Sequence, residues 1–237
     1  MVPGGKTMQE KLIDAPQFRN RHGIFLRRKD AGQYLASMME SFRERPETII
    51  LAIPSGGVPV GLELSRSLAL AMDLVITRKM QIPGNTEAGF GAMTMTGKAF
   101  INRELLDMLR LSDAEVEKQM EKVRLELDQR NARFRNNKPF PNIEGLLVIL
   151  VDDGLASGFT MLAAIDMARS QGAEKIVVAV PTSPLSSIVR IQDKVDQIYC
   201  ANVQDSGSFA VASAYRYWRD LEPEEVVEML REAGLLD

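Results

Sequence analysis

Two adjacent carboxylates, Asp152 and Asp153, end a run of six apolar residues, 146–151, and a loop of small residues, 154–160, follows them at once. Small residues let backbone N–H groups close around an anion, and the positive end of the helix that follows points to the same place. Carboxylates only accept hydrogen bonds and repel phosphate, so they suit the vicinal hydroxyls of a sugar. The two halves together predict a receptor for a phosphorylated sugar, and a 5-phosphorylated ribose meets both demands.

Three other interpretations of the acidic pair account for less of the sequence. An isolated Asp-Asp pair is most often a strand end that becomes polar at the protein surface. A strand ending in acid also occurs in the magnesium-binding half of nucleotide triphosphatases, but no P-loop accompanies it here, since the GGKT run at 4–7 has no strand before it. A receiver-domain phosphoacceptor would come with acids near the first strand and a late lysine. None of these explains the loop of small residues.

Apolar runs separated by helical patterns predict the elements that position this pair. The predicted strands span residues 48–54, 73–79, 146–151, 175–181 and 196–202. The predicted helices span residues 29–42, 62–72, 112–137, 160–171 and 222–234. Strands that alternate with helices indicate a parallel sheet covered on both faces, in which ligands bind beyond the carboxyl ends of the strands. Three loops of unusual composition leave those ends, at residues 55–57, 78–91 and 152–160, and their convergence predicts a site.

A glycine-rich stretch and a long charged helix lie between the second and third predicted strands. Residues 80–96 hold too many glycines for a core element and suit a mobile excursion, with a hairpin at 90–101. Ser112 and Glu115 form a capping box that begins the helix. Its apolar stripe consists of Val116, Met120, Val123 and Leu127. The rest of the helix is charged, so we expect it at the surface or against a partner.

Composition limits the class of protein. The 237 residues suffice for one large α/β domain with an embellishment. A net charge of −3, with no basic block of five or more residues, disfavours a broad nucleic-acid-binding face but leaves room for a local cationic pocket. The single cysteine, Cys200, excludes an internal disulfide and fits a reducing cytosol. Because no apolar stretch approaches the roughly 20 residues of a membrane helix, and the start lacks the apolar core of a signal peptide, we expect a cytoplasmic protein without membrane partners.

The run VDDGLASGFT resembles the phosphoribosyl-pyrophosphate (PRPP) signature of the type I phosphoribosyltransferases. The runs AIPSGGVPVGLELSR, VITRKMQIPGNTEAGFGAM, IVVAVPTSP and YRYWRDLEPEEVVEML extend the likeness over most of the chain, toward a bacterial and archaeal branch described only as predicted phosphoribosyltransferases. The resemblance implies an α/β fold with a doubly wound, mainly parallel sheet, a flexible loop or hairpin, an inserted long helix and a small hood.

The same resemblance implies a simple domain organisation. We expect a flexible arm at residues 1–16 and a single phosphoribosyltransferase-like domain at residues 17–237. Within that domain, the expected parts are a core at about 45–203, the inserted helix at about 112–137, and a C-terminal hood and helix at about 204–237.

The resemblance also implies roles for individual residues. Asp152 and Asp153 would hold the 2- and 3-hydroxyls of the ribose, with Mg²⁺ nearby as the cofactor. The 5-phosphate loop would be formed, mostly through its main chain, by Ala156, Ser157, Gly158, Phe159 and Thr160. The pyrophosphate loop would be formed by Ser55, Gly56 and Gly57. Relatives tend to carry a basic residue where Ser55 stands, so this loop is expected to bind pyrophosphate less strongly.

Two basic residues and a mobile loop would complete the donor site. Arg78 and Lys79 would neutralise the charge that builds on the leaving pyrophosphate, although a basic pair at a strand end can also be a solvated cap. The loop at 80–96 would close over the reaction and exclude water, and Glu87 within it would contact the ribose or the base. The candidates for a base pocket are Pro181, Thr182 and Phe209. No lysine stands in the loop after the fourth strand, which weakens the usual 6-oxopurine assignment.

These roles imply an enzyme that transfers 5-phosphoribosyl from PRPP to a small nitrogenous base and releases pyrophosphate. The alternative is a non-catalytic regulator that senses PRPP or a nucleotide on the same fold. Arg78, Lys79 and the glycine-bearing loop favour the enzyme, because a sensor does not need a lid that excludes water. We expect a homodimer, and no Ser-His-Asp catalytic device, since His22 is the only histidine.

Overall fold

A six-stranded parallel sheet forms the centre of the structure, a computed structural model that describes residues 8–83, 85–205 and 207–236, without the side chains of 8–9 and 85–88. In chain order the strands are β1 (Leu12–Asp14), β2 (Thr48–Ala52), β3 (Ala71–Leu74), β4 (Thr77–Ile82), β5 (Asn85–Thr94), β6 (Ala99–Ile101), β7 (Leu147–Val151), β8 (Lys175–Pro184) and β9 (Gln197–Gln204). The central sheet has the order β1-β9-β8-β7-β2-β3, and every neighbouring pair is parallel. This confirms the predicted α/β fold with a mainly parallel sheet.

Helices cover both faces of the central sheet. In chain order they are α1 (Met8–Lys11), α2 (Arg28–Met38), α3 (Gly57–Leu68), α4 (Arg103–Leu109), α5 (Asp113–Arg135), α6 (Phe159–Ser170), α7 (Leu185–Ile191) and α8 (Pro223–Glu232). Short 3₁₀ helices lie in the connections, at Pro16–Phe18, Glu40–Phe42, Gln192–Lys194 and Val211–Ala214. Leu35, Leu64 and Leu230, from α2, α3 and α8, belong to the core on one face, whereas Leu162 and Ile188, from α6 and α7, belong to the core on the other. Within the described part of the chain, no helix is long and apolar enough to span a membrane.

The central strands are buried because helices cover them on both sides. Every residue of β2 and β7 is buried, as the continuous apolar runs of a doubly covered sheet require. Successive side chains of β2 alternate between the two cores, with Ile50 in one and Leu51 in the other. Consequently the polar residues that follow these strands emerge together at the carboxyl edge of the sheet.

The chain between β3 and α4 forms a second sheet, which has three antiparallel strands in the order β4-β5-β6. The strand predicted over residues 73–79 is wrong as a single element, because the chain leaves β3 and enters β4 within it. Val75 and Ile76 are fully buried at the junction, and an apolar pattern does not reveal which partner strand follows. Arg78 and Lys79 therefore lie in β4, and not at a carboxyl end of the central sheet.

Two neighbouring predictions also differ from the structure. The segment 80–96, for which we expected a mobile excursion, contains the second half of β4 and all of β5, and β5 with β6 makes the predicted hairpin at 90–101. The helix predicted over 62–72 is α3, which ends at Leu68 because Ala69 adopts a left-handed φ of 52° and the chain turns into β3. The strong helix propensity of the alanines and leucines there hides this end in the sequence.

The remaining predictions concern helix α5 and the N-terminal segment. The backbone N–H of Ser112 donates 2.9 Å to Oε2 of Glu115, so the predicted capping box is confirmed. Within the predicted apolar stripe, Val123 and Leu127 are buried, and the other two members are partly buried against the same core. In the segment for which we expected a flexible arm (1–16), the last residues form β1 and pair in parallel with β9, while residues 1–7 lie outside the described part.

Candidate active site

Asp152 and Asp153 lie at the carboxyl edge of the central sheet, directly after β7. Oδ1 of Asp152 accepts a 2.8 Å hydrogen bond from the backbone N–H of Asp153, which fixes the first carboxylate at the turn. Burial raises the pKa of both carboxyl groups, and the negative charge of Asp153 raises the pKa of Asp152 further. Burial thus opposes the ionisation of both carboxyl groups. Hydroxyl donors or a cation bound beside them would stabilise their negative charge.

An ion pair from the beginning of α2 holds the second carboxylate. Nε of Arg28 donates a 2.7 Å hydrogen bond to Oδ2 of Asp153, and the two side chains are only 10% and 14% exposed. The guanidinium also lies 3.9 Å from the ring centroid of Trp218, and its Nη1 donates to the carbonyl oxygen of Arg219. Arg28 lowers the pKa of Asp153, against the larger opposing effect of burial. Arg28 was not predicted, because 125 residues separate it from its partner.

Aromatic side chains of the C-terminal segment pack beside the acidic pair. The hydroxyl of Tyr215 donates 2.6 Å to the carbonyl oxygen of Asp153. The Tyr215 ring lies 5.1 Å from Trp218 and 6.0 Å from Phe25, measured between centroids. Burial raises the pKa of Tyr215 well above its ordinary value, so its hydroxyl remains a hydrogen-bond donor. These contacts fix the C-terminal segment at the mouth of the site.

The loop after the acidic pair turns at Gly158 into helix α6, with a φ of +82° that favours glycine. Ser187 and Arg190 of α7 donate to the carbonyl oxygens of Ala156 and Ser157. Within the described chain, no backbone carbonyl accepts a hydrogen bond from the N–H groups of residues 156–158. The loop therefore offers main-chain donors and a helix start to an anion, as a phosphate monoester requires.

The first turn of α6 continues the same loop with Phe159 and Thr160. The Phe159 ring stacks on Phe100 of β6, with centroids 6.0 Å apart and ring planes inclined by 25°. The guanidinium of Arg190 lies 5.2 Å from the centroid of Phe159. The antiparallel sheet thus covers the start of α6 and the end of the predicted 5-phosphate loop.

The turn after β2 touches the acidic pair. Its Pro54–Ser55 peptide bond is cis. Gly56 lies so close to Asp153 that a Cβ there would overlap the carboxylate, and a Cβ at Gly57 would lie 2.7 Å from the carbonyl oxygen of Val151. Only glycine fits this approach. The turn predicted to hold pyrophosphate is therefore adjacent to the residues predicted to hold the ribose.

Helix α5 brings a cation to this turn. Nη2 of Arg130 donates 3.1 Å to the carbonyl oxygen of Pro54 and lies 3.5 Å from Oγ of Ser55. Burial lowers the pKa of Arg130 to about 10, and the positive charge of Arg78 lowers it as well. Arg78 itself forms a 2.7 Å ion pair with Glu126. Arg130 was not predicted, because a basic residue on a charged helix is indistinguishable in sequence from a solvated one.

The other predicted residues of the second sheet lie in its first two strands. Lys79 follows Arg78 in β4, and its aliphatic stem packs over Gly89. Glu87 lies in β5, and its side chain falls outside the described part of the structure. Arg78 is connected with the predicted pyrophosphate turn through Arg130, which contacts the turn and whose pKa is lowered by the charge of Arg78.

The residues predicted for a base pocket lie near the end of β8 and after β9. Pro181 and Thr182 are buried in the sheet, and Oγ1 of Thr182 donates 3.2 Å to the carbonyl oxygen of Asn202. The carbonyl oxygen of Thr182 accepts a 2.9 Å hydrogen bond from the N–H of Leu155. Thr182 thus supports the phosphate loop from below. Phe209 is half-buried in the segment that follows β9.

Comparisons with known proteins agree on one family. Residues 27–217 match the family model of the phosphoribosyl transferase domain. Two proteins from two strains of Mycobacterium tuberculosis, both named provisionally as phosphoribosyl transferases, are 33% identical over 221 residues, which is 90% of this chain and 49% of theirs. The chain thus spans about half the length of these curated relatives. The crystal structure of TT1426 from Thermus thermophilus is 30% identical, with a TM-score of 0.71 over 88% of this chain and 98% of that one.

Proposed function

This chain belongs to the phosphoribosyltransferase family, and on that premise we propose that it transfers a 5-phosphoribosyl group from PRPP to a nitrogenous, nucleobase-like acceptor. The observation that carries the proposal is the close approach of Gly56 to Asp153. It joins the turn after β2 to the acidic pair, and the phosphate loop begins immediately after that pair. A turn for pyrophosphate, acceptors for two hydroxyls and a cradle for a phosphate monoester thus adjoin, in the order of the groups of PRPP.

The reaction would be a displacement at C1 of the ribose. The bond from C1 to the pyrophosphate oxygen breaks, positive charge develops on the sugar, and a nitrogen of the acceptor forms the new bond from the opposite face. The chain contributes placement and charge stabilisation. Asp152 and Asp153 would hold the ribose hydroxyls, the loop N–H groups the 5-phosphate, and Arg78 would face the leaving group. The antiparallel sheet that covers Phe159 would limit access of water.

Magnesium fits this donor set as an ion shared between protein and ligand. Among the described residues, no group of three or more His, Cys, Asp and Glu side chains could hold a metal alone. Mg²⁺ commonly takes one or two carboxylates and completes its shell with water and phosphate oxygens. Asp152 and Asp153, whose ionisation is opposed by burial, would be stabilised as carboxylates by such a cation. Bound together with PRPP, the ion supplies neutralisation of the pyrophosphate charge.

The acceptor is proposed to be a small nitrogenous base held near the ends of β8 and β9. Pro181 and Thr182 lie beneath the phosphate loop, and Phe209 is a half-buried aromatic residue of the following segment. We also propose that Lys79, in β4 of the covering sheet, neutralises charge on the leaving pyrophosphate, and that Glu87, in β5, contacts the ribose or the base. A homodimer is proposed because Met108 and Leu125, on α4 and α5, are 73% and 61% exposed.

Release of pyrophosphate from PRPP, measured with Mg²⁺ and a panel of purine and pyrimidine bases, tests the activity. We expect release that depends on one class of base. If the protein binds PRPP tightly but releases no pyrophosphate with any base, the proposed enzymatic activity is wrong and a PRPP-sensing regulator is favoured. In parallel, Asp152→Asn combined with Asp153→Asn should abolish PRPP binding with an unchanged circular dichroism spectrum. Unchanged affinity in this variant would exclude the proposed role of the acidic pair.

A further inference from the structure

Arg130, a half-buried residue of α5, directs an incompletely satisfied cation at the turn after β2. Its Nη2 donates to the carbonyl oxygen of Pro54, whereas its Nε is buried and has no hydrogen-bond partner among the described residues. Its Cζ lies 5.0 Å from the ring centroid of Phe134, which covers one face of the guanidinium. In the described structure no carboxylate lies within ion-pair distance of Arg130. The nearby carboxylate, that of Glu126, pairs with Arg78.

Such an arrangement is unfavourable in the ligand-free protein. A charge withdrawn from water normally requires a counter-charge and hydrogen bonds for its buried donors, because it has lost part of its hydration. Arg130 has one carbonyl oxygen at 3.1 Å and the hydroxyl of Ser55 at 3.5 Å as partners. Burial lowers its pKa most, and the like charge of Arg78 lowers it by more than the charge of Glu126 raises it. At a pKa of about 10 it remains charged at neutral pH. An anion at the turn would supply the missing counter-charge.

The turn itself does not supply this cation. Its side chain at Ser55 is neutral, and Gly56 and Gly57 have no side chains. We propose that Arg130 is the cation that binds the pyrophosphate group of PRPP, delivered to this turn by helix α5. Its planar fork of N–H donors matches the paired oxygens of a phosphate group. The inference rests on the proposed function, since it assigns a residue to the leaving-group end of the same site.

The position of α5 follows from its packing. Val123 and Leu127 are buried on one side of the helix, and this stripe fixes its rotation against the fold. Glu126 and Arg130 are four residues apart, so they lie on the same side, one turn after the other. Glu126 holds Arg78 of β4 while Arg130 faces the turn after β2. A single helix therefore arranges both cations about the proposed pyrophosphate position.

Separate binding measurements of three ligands, each with Mg²⁺, distinguish this role from a structural one. In Arg130→Gln we expect the affinities for inorganic pyrophosphate and PRPP to fall roughly 10- to 100-fold, the usual effect of losing a charge-assisted hydrogen bond. The affinity for ribose 5-phosphate should stay within about twofold, because that ligand lacks the pyrophosphate. A residue that only braces the turn would change all three affinities together or none. Arg124→Gln, on the same helix with an exposed partner in Glu117, is the matched control and should change none.

Two further variants keep the test decisive. Arg130→Lys retains the charge without the planar fork, and it should bind pyrophosphate with an affinity between those of the wild type and Arg130→Gln. Ser55→Lys in the Arg130→Gln background should restore part of the pyrophosphate affinity. Wild-type pyrophosphate affinity in Arg130→Gln, or equal losses for ribose 5-phosphate and pyrophosphate in either Arg130 variant, would overturn the assignment. If the wild-type protein binds none of the three ligands, the proposed function fails, and this inference fails with it.

Discussion

Arg28 donates a 2.7 Å hydrogen bond from Nε to Oδ2 of Asp153, joining the first turn of α2 to the end of β7. Both side chains are largely shielded from water, so the pair is less screened than a surface ion pair. Because Arg28 also lies over the ring of Trp218, it connects the acidic pair with the C-terminal segment. The ionised form of Asp153 is therefore favoured by a residue that lies outside the three predicted loops of the site.

Replacing Arg28 should destabilise the protein, because it leaves Asp153 buried without its counter-charge. For Arg28→Met we expect a loss of roughly 3 kcal/mol in the free energy of unfolding, measured by urea denaturation at neutral pH. Arg27→Met is the matched control, since Arg27 is exposed and lies 5.8 Å from the ring centroid of Tyr217. Its loss should not exceed about 1 kcal/mol. Equal losses in the two variants would contradict a specific role of the ion pair.

Replacing Asp152 should instead stabilise the ligand-free protein. Burial and the charge of Asp153 raise the pKa of Asp152 in the folded state, so ionisation costs stability as pH rises above the ordinary aspartate range. Asparagine does not ionise, and its Oδ1 can still accept the hydrogen bond from the next N–H. For Asp152→Asn at pH 7, without added metal, we expect the free energy of unfolding to rise by roughly 1 kcal/mol.

The pH dependence of this gain is its control. It should disappear at acidic pH, where Asp152 of the wild type is protonated in both the folded and the unfolded state. It should grow as pH rises above the ordinary aspartate range, where the unfolded carboxyl group is ionised and the folded one is not, and it should level off above the raised pKa of the folded state. Asp166→Asn, which removes the ion pair of a more exposed aspartate with Lys194, should give no gain at any pH. A loss of stability in Asp152→Asn at neutral pH would show that the acidic pair is not a source of repulsion.

A methyl group at Gly56 should push Asp153 out of place. Gly56 has an ordinary helical φ of −62°, so alanine is free of backbone strain there and only the overlap with the carboxylate acts. We expect Gly56→Ala to lower the free energy of unfolding by about 1–3 kcal/mol. The affinity for PRPP, measured by calorimetry, should fall at least about tenfold. Adding Asp153→Ala removes the clash, so the stability losses of the two changes should be clearly less than additive.

The site residues that were predictable from sequence are those whose chemistry is local. Asp152, Asp153 and the small residues after them adjoin in the chain, and a strand in front of them indicates their place at the carboxyl edge of the sheet. Ser55, Gly56 and Gly57 follow another such strand. Since neighbouring parallel strands end at one edge, the approach of these two loops follows from the sheet alone.

Arg28 and Arg130 could not be predicted, because their partners lie far away in sequence. Arg28 meets Asp153 across 125 residues, and Arg130 meets Ser55 across 75. Each stands on a helix that also carries exposed charged residues, so no local pattern distinguishes it. The division of residues 73–79 between two sheets has a similar cause, because pairing partners are not encoded in an apolar run.

Alanine at Gly158 tests the phosphate loop by backbone strain alone. Its φ of +82° disfavours an L side chain, while a Cβ there would come no closer than 3.7 Å to its neighbours. We expect Gly158→Ala to cost roughly 1–2 kcal/mol in the free energy of unfolding and to weaken ribose 5-phosphate binding at least about tenfold. Gly145→Ala, at a φ of +74° with open space around it and remote from the site, should show a similar loss of stability and unchanged binding. If both variants bind ribose 5-phosphate equally well, this loop does not form the 5-phosphate site.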